Sequence, residues 1–215
     1  MTPAEQSRRT SEICAVAPVV PVLVVRDVAY AAPLARALVA GGLPALEVTL
    51  RTPAALDVIR AMAAVPGGIV GAGTLLTPED VAAAKAAGAQ FGVSPGATDR
   101  LLAAAAEIGL PLLPGAATAS EAMSLLERGY RMVKFFPAEA VGGAAALKAL
   151  GGPLPQLRFC PTGGISAALA PDYLKLANVA CVGGSWVAPD ALVETLDWDG
   201  ITQLARQAAS LARRA

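Results

Sequence analysis

The chain has 215 residues, of which 55% are hydrophobic and 16% are charged, and its formal net charge is zero. This length is enough for one well-buried core, and the absence of a basic stripe argues against a nucleic-acid partner. No apolar run is long and uninterrupted enough to span a bilayer, so we expect no membrane partner. The sequence has no histidine, which excludes serine–histidine and cysteine–histidine nucleophile pairs.

The N-terminal segment predicts a helix near 3–14 that leads into a buried strand. Arg8 and Arg9, followed by an apolar run, superficially resemble a twin-arginine export signal. Against that interpretation, Glu12 follows the arginine pair, two prolines interrupt the apolar run, and no small-residue cleavage site is found. We therefore expect a structural helix rather than a leader peptide.

Three cysteines, Cys14, Cys160 and Cys181, are spread irregularly along the chain. An odd number without regular spacing does not indicate a disulfide framework. We interpret them as reduced thiols in a cytoplasmic protein. Without histidine a zinc site is disfavoured, and we expect no metal.

A short β-branched run, a turn and an alanine-rich helical stretch recur along the chain. Strands are predicted, in chain order, at 19–25, 45–50, 69–74, 90–94, 110–115, 132–137, 157–162 and 179–184. Helices are predicted near 28–40, 53–64, 78–87, 98–108, 119–128, 142–150, 167–176 and 200–213. This alternation indicates parallel strands joined by crossover helices, and the apolar strands fit a sheet covered on both faces.

Eight such units predict a compact (β/α)₈ TIM barrel with a leading N-terminal helix. A doubly wound open sheet is the alternative, because sequence patterns seldom settle topology. No linker is visible, so we predict a single domain over residues 1–215. In a barrel, active sites lie at the C-terminal ends of the strands, and polar residues at those ends are the candidates.

Lys134 is the one lysine of four that falls in a predicted strand, within the run RMVKFFPAE. Burying an ammonium group is costly, and a desolvated lysine is partly a neutral amine near neutral pH. Such an amine attacks carbonyl groups and forms a Schiff base. An edge-strand lysine whose charge reaches solvent is the alternative, and the lysine alone does not decide between them.

The stretch ALEVTLRT places Glu47, Thr49 and Arg51 on one face of a predicted strand, because side chains alternate. In a barrel covered by helices, that polar face points inward. Glu47 could then act as a general acid–base, and Arg51 could clamp a carboxylate with two hydrogen bonds. A purely structural Glu–Arg pair is the alternative.

Two glycine-rich turns, within 160–166 and 182–186, follow the seventh and eighth predicted strands. Loops at these positions often bind phosphate through backbone N–H groups in such barrels. Thr74, in GAGT, could hydrogen-bond a substrate carboxylate or hydroxyl. Thr118 is predicted instead to be a helix cap, with Glu121 three residues on.

Taken together, LEVTLRT, GAGT, GAQFGVSPG, VKFFPAE, RFCPTGGIS and CVGGSW resemble, in order and spacing, the 2-dehydro-3-deoxy-6-phosphogluconate (KDPG) aldolases of the Entner–Doudoroff pathway. The resemblance extends from about Pro18 to about Pro189. It implies a class I aldolase on a (β/α)₈ barrel, homotrimeric and without metal or cofactor. The implied substrate is a small phosphorylated sugar acid, cleaved to pyruvate and glyceraldehyde 3-phosphate.

The resemblance also implies a role for individual residues. It assigns the Schiff base to Lys134 and acid–base chemistry to Glu47. The residues expected around the substrate carboxylate are Arg51, Thr74 and Lys134. The expected substrate pocket comprises Pro95, Phe135 and Thr162, and the expected phosphate-binding turns comprise Gly163, Gly164, Gly184 and Ser185.

The chain departs from the family pattern in the turn PGAAT, where Ala117 replaces an expected hydroxyl-bearing residue. Close alternatives are an aldolase for the 6-phosphogalactonate epimer or for 4-hydroxy-2-oxoglutarate. A more distant one is a phosphate-binding barrel isomerase or synthase that uses Lys134 only as a charge. A non-catalytic phosphometabolite-binding barrel is disfavoured by the intact set of Lys134, Glu47 and Arg51.

Overall fold

Strands and helices alternate along residues 1–212, which the computed structural model describes. The strands are β1 Val19–Leu23, β2 Ala45–Thr49, β3 Ile69–Gly73, β4 Phe91–Val93, β5 Leu112–Leu113, β6 Gly115–Ala116, β7 Met132–Phe135, β8 Arg158–Pro161 and β9 Val182–Gly184. The helices are α1 Pro3–Ala15, α2 Ala31–Ala40, α3 Ala55–Ala63, α4 Pro78–Ala86, α5 Asp99–Ile108, α6 Ala119–Glu127, α7 Gly143–Gly151, α8 Ala170–Leu174, α9 Asp190–Glu194 and α10 Trp198–Ala209. Single 3₁₀ turns lie at Val28–Tyr30 and Glu139–Val141.

The strands form a curled parallel sheet in two parts. Six strands pair in the order β5-β4-β3-β2-β1-β9 and three pair in the order β6-β7-β8, every pair being parallel. An isolated parallel bridge between Thr162 and Gly183 lies between the ends of β8 and β9. The expected α/β class and leading helix are thus confirmed, whereas the pairing is not one continuous eight-stranded ladder.

The predicted fifth strand, 110–115, is divided into β5 and β6 by Pro114. Proline has no N–H to donate to a ladder, so pairing is interrupted at this residue. Its carbonyl still accepts a hydrogen bond from the backbone N–H of Lys134 at 2.8 Å. The chain therefore passes from one part of the sheet to the other at Pro114.

The helices near the C-terminus differ from the predicted ones in two places. The short helix α9 was not predicted, because its five residues are too few to show a helical period. The last helix, predicted at 200–213, is Trp198–Ala209, and residue 213 lies outside the described residues. Within residues 1–212, no helix is both long and apolar enough to cross a membrane.

Apolar side chains pack in two places, and this leaves one end of the sheet open. The larger core lies between the strands and the surrounding helices. A smaller cluster lies on the concave side, near the N-terminal ends of the strands, and comprises Cys14, Val20, Ala45, Phe91, Val93, Leu113, Met132, Cys160 and Cys181. Because this cluster fills the lower interior, space for a ligand remains toward the C-terminal ends.

Helix α1 packs against this lower interior with a largely polar face. Its buried residues are Gln6, Ser7, Thr10 and Cys14. The Oγ atom of Ser7 accepts the backbone N–H of Arg131 at 2.8 Å, and Oε1 of Gln6 accepts that of Leu112 at 3.1 Å. Side-chain acceptors on α1 thus satisfy a backbone donor in β5 and one immediately before β7.

Replacing Ser7 with alanine should destabilise the protein, because the Arg131 N–H loses its acceptor in a partly buried position. We expect a loss of about 1–3 kcal/mol in the free energy of unfolding. Denaturant titration measures it, with Ser11→Ala, an exposed serine of the same helix, as the control. Equal stability of the two variants would contradict the anchoring role of Ser7.

Candidate active site

A cavity of about 410 Å³ opens at the C-terminal ends of the strands. Ten of the eleven residues singled out from the sequence line it, namely Glu47, Arg51, Thr74, Pro95, Lys134, Thr162, Gly163, Gly164, Gly184 and Ser185. Thr49, which the sequence placed on the same strand face as Glu47 and Arg51, lines it too. Sequence reasoning did not single out the other lining residues, Val22, Phe136, Ile165 and Gly183. Residues far apart in the chain therefore meet where a parallel α/β fold places its ligands.

The cavity contains a buried ion pair. Nζ of Lys134, on β7, lies 3.1 Å from Oε1 of Glu47, on β2. The two side chains are only 7% and 4% exposed. Lys134 is therefore not an edge-strand lysine whose charge reaches bulk water. A pair desolvated to this degree gives weak stabilisation at best, so stability alone is a poor reason for its presence.

Gly73 provides the space that Glu47 occupies. In the β2–β3 register, Gly73 lies opposite Thr49 and Gly71 opposite Glu47. A Cβ atom at Gly73 would come within 2.7 Å of Cγ of Glu47, and closer still to its Oε1. Gly73, the second glycine of GAGT, is thus required because the Glu47 side chain lies so close to its backbone. The sequence did not reveal this contact.

Arg51 reaches the cavity rim from the end of β2. Its Nε donates to Oγ1 of Thr49 at 3.2 Å, and Thr49 in turn donates to the carbonyl of Leu23 at 2.9 Å. Glu47 pairs with Lys134, and no ion pair in residues 1–212 joins Glu47 to Arg51. The proposed structural Glu–Arg pair is therefore not formed. The rest of the Arg51 guanidinium can serve an anion in the cavity.

Thr74 lies at the cavity mouth with a left-handed backbone, φ being 62°. Threonine rarely adopts this conformation, because its branched Cβ crowds the backbone. Such strain persists only where the surrounding structure enforces it, and it is often found at functional sites. The hydroxyl of Thr74 lies on the same cavity as Arg51.

The turn after β8 depends on its two glycines. Gly163 and Gly164 have φ of 105° and 79°, which residues with a side chain rarely adopt. A Cβ at Gly164 would also meet Cβ of Glu139 at 2.8 Å. Glu139 is held in turn by a hydrogen bond from the hydroxyl of Tyr173. The turn therefore presents bare backbone to the cavity.

The prediction that Phe135 lines the pocket is wrong for the cavity observed. Phe135 is 1% exposed and packs edge-on against Phe159, with ring centroids 6.2 Å apart, in the larger core. Phe136 lines the cavity instead, and its ring centroid lies 5.4 Å from Nζ of Lys134. Side-chain alternation explains the difference, because Lys134 and Phe136 share one face and Phe135 the other.

The turn that contains Ala117 is held by the helix cap that the sequence predicted. Thr118 caps α6, and its side chain and that of Glu121 exchange hydrogen bonds with the backbone. The N–H of Ala117 also donates to the Glu121 carboxylate at 2.8 Å. This hydrogen bond holds the pKa of Glu121 below its usual value. The missing hydroxyl is thus not needed to form the turn.

These features define a class of site. A desolvated amine beside a carboxylate suits imine formation with a carbonyl compound, followed by proton transfer. Arg51 lies at one side of the cavity, and glycine-rich turns expose their backbone at another. This arrangement suits a substrate with two anionic ends.

Comparison with known proteins agrees with this class. The family model of the KDPG and KHG aldolases matches residues 10–204. The chain is 57% identical over 192 residues to 2-dehydro-3-deoxy-phosphogluconate aldolase of Pseudoalteromonas atlantica, with 89% of each chain covered. The chain therefore belongs to the KDPG and KHG aldolase family.

Solved structures show the same likeness. The KDPG aldolase of Zymomonas mobilis ZM4, with 3-phosphoglycerate, matches with a TM-score of 0.93 and 48% identity, over 97% of this chain and 99% of that one. The KDPG aldolase of Legionella pneumophila matches with a TM-score of 0.90 and 46% identity, over 93% and 98% of the two chains. That structure holds pyruvate captured at low pH as a covalent carbinolamine intermediate.

Replacing Gly73 with alanine should displace the Glu47 carboxylate and break its contact with Lys134. We expect aldol cleavage to fall at least about 100-fold, since small misplacements of reacting groups cost that much. Steady-state kinetics measures it. Gly152→Ala is the control, because a Cβ there meets no atom closer than 3.8 Å. Near-normal activity of Gly73→Ala would show that the position of Glu47 is not constrained as described.

Proposed function

We propose that the chain is a class I aldolase that cleaves KDPG to pyruvate and glyceraldehyde 3-phosphate through a Schiff base on Lys134. The observation that carries the proposal is the buried Lys134 amine, 3.1 Å from Glu47, within the cavity. The names of the relatives support the substrate, and the covalent carbinolamine of the Legionella enzyme supports the chemistry.

The first step is attack of the neutral Lys134 amine on the C2 ketone of the substrate. Glu47 lies within hydrogen-bond distance and can accept the proton that the ammonium must lose. Glu47 then gives this proton to the carbinolamine hydroxyl, which leaves as water. A protonated imine results, Glu47 is again a carboxylate, and the former carbonyl carbon is an electron sink.

Cleavage follows from the same pair of residues. Glu47 takes the proton of the C4 hydroxyl, directly or through a water, and the C3–C4 bonding electrons flow into the imine. Glyceraldehyde 3-phosphate leaves, and an enamine of pyruvate stays on Lys134. Glu47 returns a proton to C3, and hydrolysis of the imine frees pyruvate and the lysine.

The two anionic ends of the substrate fit different parts of the cavity. Arg51 and Thr74, at the ends of β2 and β3, would hold the carboxylate, and Thr162 would lie along the hydroxyl-bearing carbons. The phosphate would bind at the backbone of the turns that contain Gly163 and Gly164, and Gly184 and Ser185. Binding energy from this distant phosphate can position the ketone against Lys134.

We also propose that the two parts of the sheet close into one (β/α)₈ barrel, with residues 1–215 as a single domain. In support, only Pro114 separates β5 from β6, and the Thr162–Gly183 bridge joins β8 to β9. The cytoplasmic location and homotrimeric state stay predictions. So does the preference among KDPG, the 6-phosphogalactonate epimer and 4-hydroxy-2-oxoglutarate.

Lys134→Arg should abolish turnover, because a guanidinium keeps the charge beside Glu47 but is not a nucleophile. We expect at least about a 1,000-fold loss of kcat, as when a covalent nucleophile is removed. Pyruvate release from KDPG measures it, with the exposed Lys148→Arg as the control. Substantial turnover by folded Lys134→Arg would defeat the Schiff-base assignment.

Glu47→Gln should slow the proton transfers but leave some imine formation. A glutamine preserves shape and still hydrogen-bonds the lysine, so we expect kcat to fall about 100- to 10,000-fold. Comparing kcat with the yield of pyruvate adduct separates the two steps, and exposed Glu127→Gln serves as the control. If kcat stays normal, the proton shuttle must be another group.

Gly164→Ala should weaken recognition of phosphate while sparing the imine chemistry. The added methyl meets Glu139, and the left-handed backbone is strained. We expect kcat/KM for KDPG to fall about tenfold, a change of roughly 1.4 kcal/mol. Cleavage of 4-hydroxy-2-oxoglutarate, which has no phosphate, is the internal control. Equal losses with both substrates would show that this turn does not bind the phosphate.

A further inference from the structure

The three cysteines, distant in sequence, meet in the lower interior. Cys160 lies in β8, Cys181 immediately precedes β9, and Cys14 lies in the last turn of α1. All three are buried, and their Sγ atoms lie within 4.8 Å of one another. β8 supplies one thiol, the residue before β9 supplies the second, and the leading helix supplies the third. The proposed aldolase mechanism uses none of them.

The spacing of the three sulfurs suits a three-coordinate ion. Thiolates bound at about 2.3 Å, the length of a zinc–sulfur bond, lie about 4 Å apart in a trigonal arrangement. All three sulfurs already lie within 4.8 Å of one another, so a small movement of side chains brings them to this spacing. No fourth ligand of the usual kinds joins the group within residues 1–212, and this disfavours tetrahedral zinc.

The surroundings favour an ion whose complex carries no net charge. Most neighbours of the thiols are apolar, among them Val20, Leu113 and Met132. The nearby charges, on Lys134 and Glu47, cancel in their ion pair. Three thiolates leave a net negative charge around a monovalent or divalent cation, and burying such a charge is costly. A trivalent centre gives a neutral complex. Among thiophilic species, trivalent arsenic meets this condition.

Entry to the site requires movement of α1, and the helix is held in a way that permits it. Three of its four buried residues are polar, and water can replace their hydrogen bonds when the helix separates from the strands. Ile13 is a partly buried apolar residue that packs there as well. Segments with few buried apolar contacts open locally at lower free energy than the whole domain. Such an opening exposes all three thiols together.

The thiol cluster lies beside the proposed catalytic pair. Lys134, on β7, is the register partner of Cys160, on β8.

We propose that Cys14, Cys160 and Cys181 form a binding site for trivalent arsenic, in which α1 closes over the ion. Arsenous acid and three thiols give a neutral arsenic tris-thiolate and three water molecules. Three As–S bonds form, three As–O bonds break, and each hydroxide leaves with one thiol proton. No atom changes oxidation state, so no oxidant or reductant takes part.

The test is retention of arsenic from sodium arsenite by the full chain. The protein is kept reduced with a phosphine, since a dithiol reductant would itself bind arsenic. After desalting, native mass spectrometry should show one adduct, heavier by one arsenic atom less three hydrogens. Amide hydrogen exchange across α1 should slow in the loaded protein, because the ion ties the helix to β8.

Cys14→Ala is the decisive variant, because it leaves two thiols and removes only the contribution of α1. We expect the retention of arsenic to fall at least about tenfold, because one of the three bonds to arsenic is lost. Cys181→Ala, which keeps Cys14 in place, provides a second variant should the first fail to fold. Failure of the wild type to retain arsenic, or equal retention by folded Cys14→Ala, would overturn the proposal. Neither readout depends on aldolase activity, so the outcome is independent of the proposed function.

Discussion

The contact between Lys134 and Glu47 is the constraint on which the rest of the site depends. Two ionisable groups that are almost completely removed from water are hard to justify as a source of stability. In the mechanism proposed above, their value is chemical, because the amine must give up a proton before it can attack a carbonyl, and the carboxylate is placed to accept it. The buried contact would then serve the reaction rather than the stability of the folded chain.

The surrounding fold supplies this contact from separate strands. β7 carries Lys134 and β2 carries Glu47. In β3, the absence of a side chain at Gly73 leaves room for the Glu47 carboxylate. Apolar residues and cysteines fill the interior below the pair, and the cavity above it opens at the C-terminal ends of the strands. Rigid strands hold the reacting groups, whereas turns and strand ends supply the groups expected to bind the anionic ends.

Much of the fold and of the candidate site could be predicted, because it follows from local sequence patterns. Alternation of strand and helix gave the parallel α/β class, and a lone lysine in an apolar strand marked the centre of the cavity. Side-chain alternation would also have selected Phe136 over Phe135, had it been applied to that strand. The break at Pro114 also has a local cause, the missing N–H of proline. By contrast, the role of Gly73 and the meeting of three cysteines depend on contacts between distant segments, which no local pattern records.

The most direct test of this account is borohydride reduction in the presence of pyruvate, read by intact mass and peptide mapping. The account predicts one reduced pyruvyl group per chain, on Lys134, and none on the exposed Lys85, Lys148 or Lys175. A folded protein that forms no adduct, or one modified at a different lysine, would contradict the claim that burial beside Glu47 makes Lys134 the nucleophile.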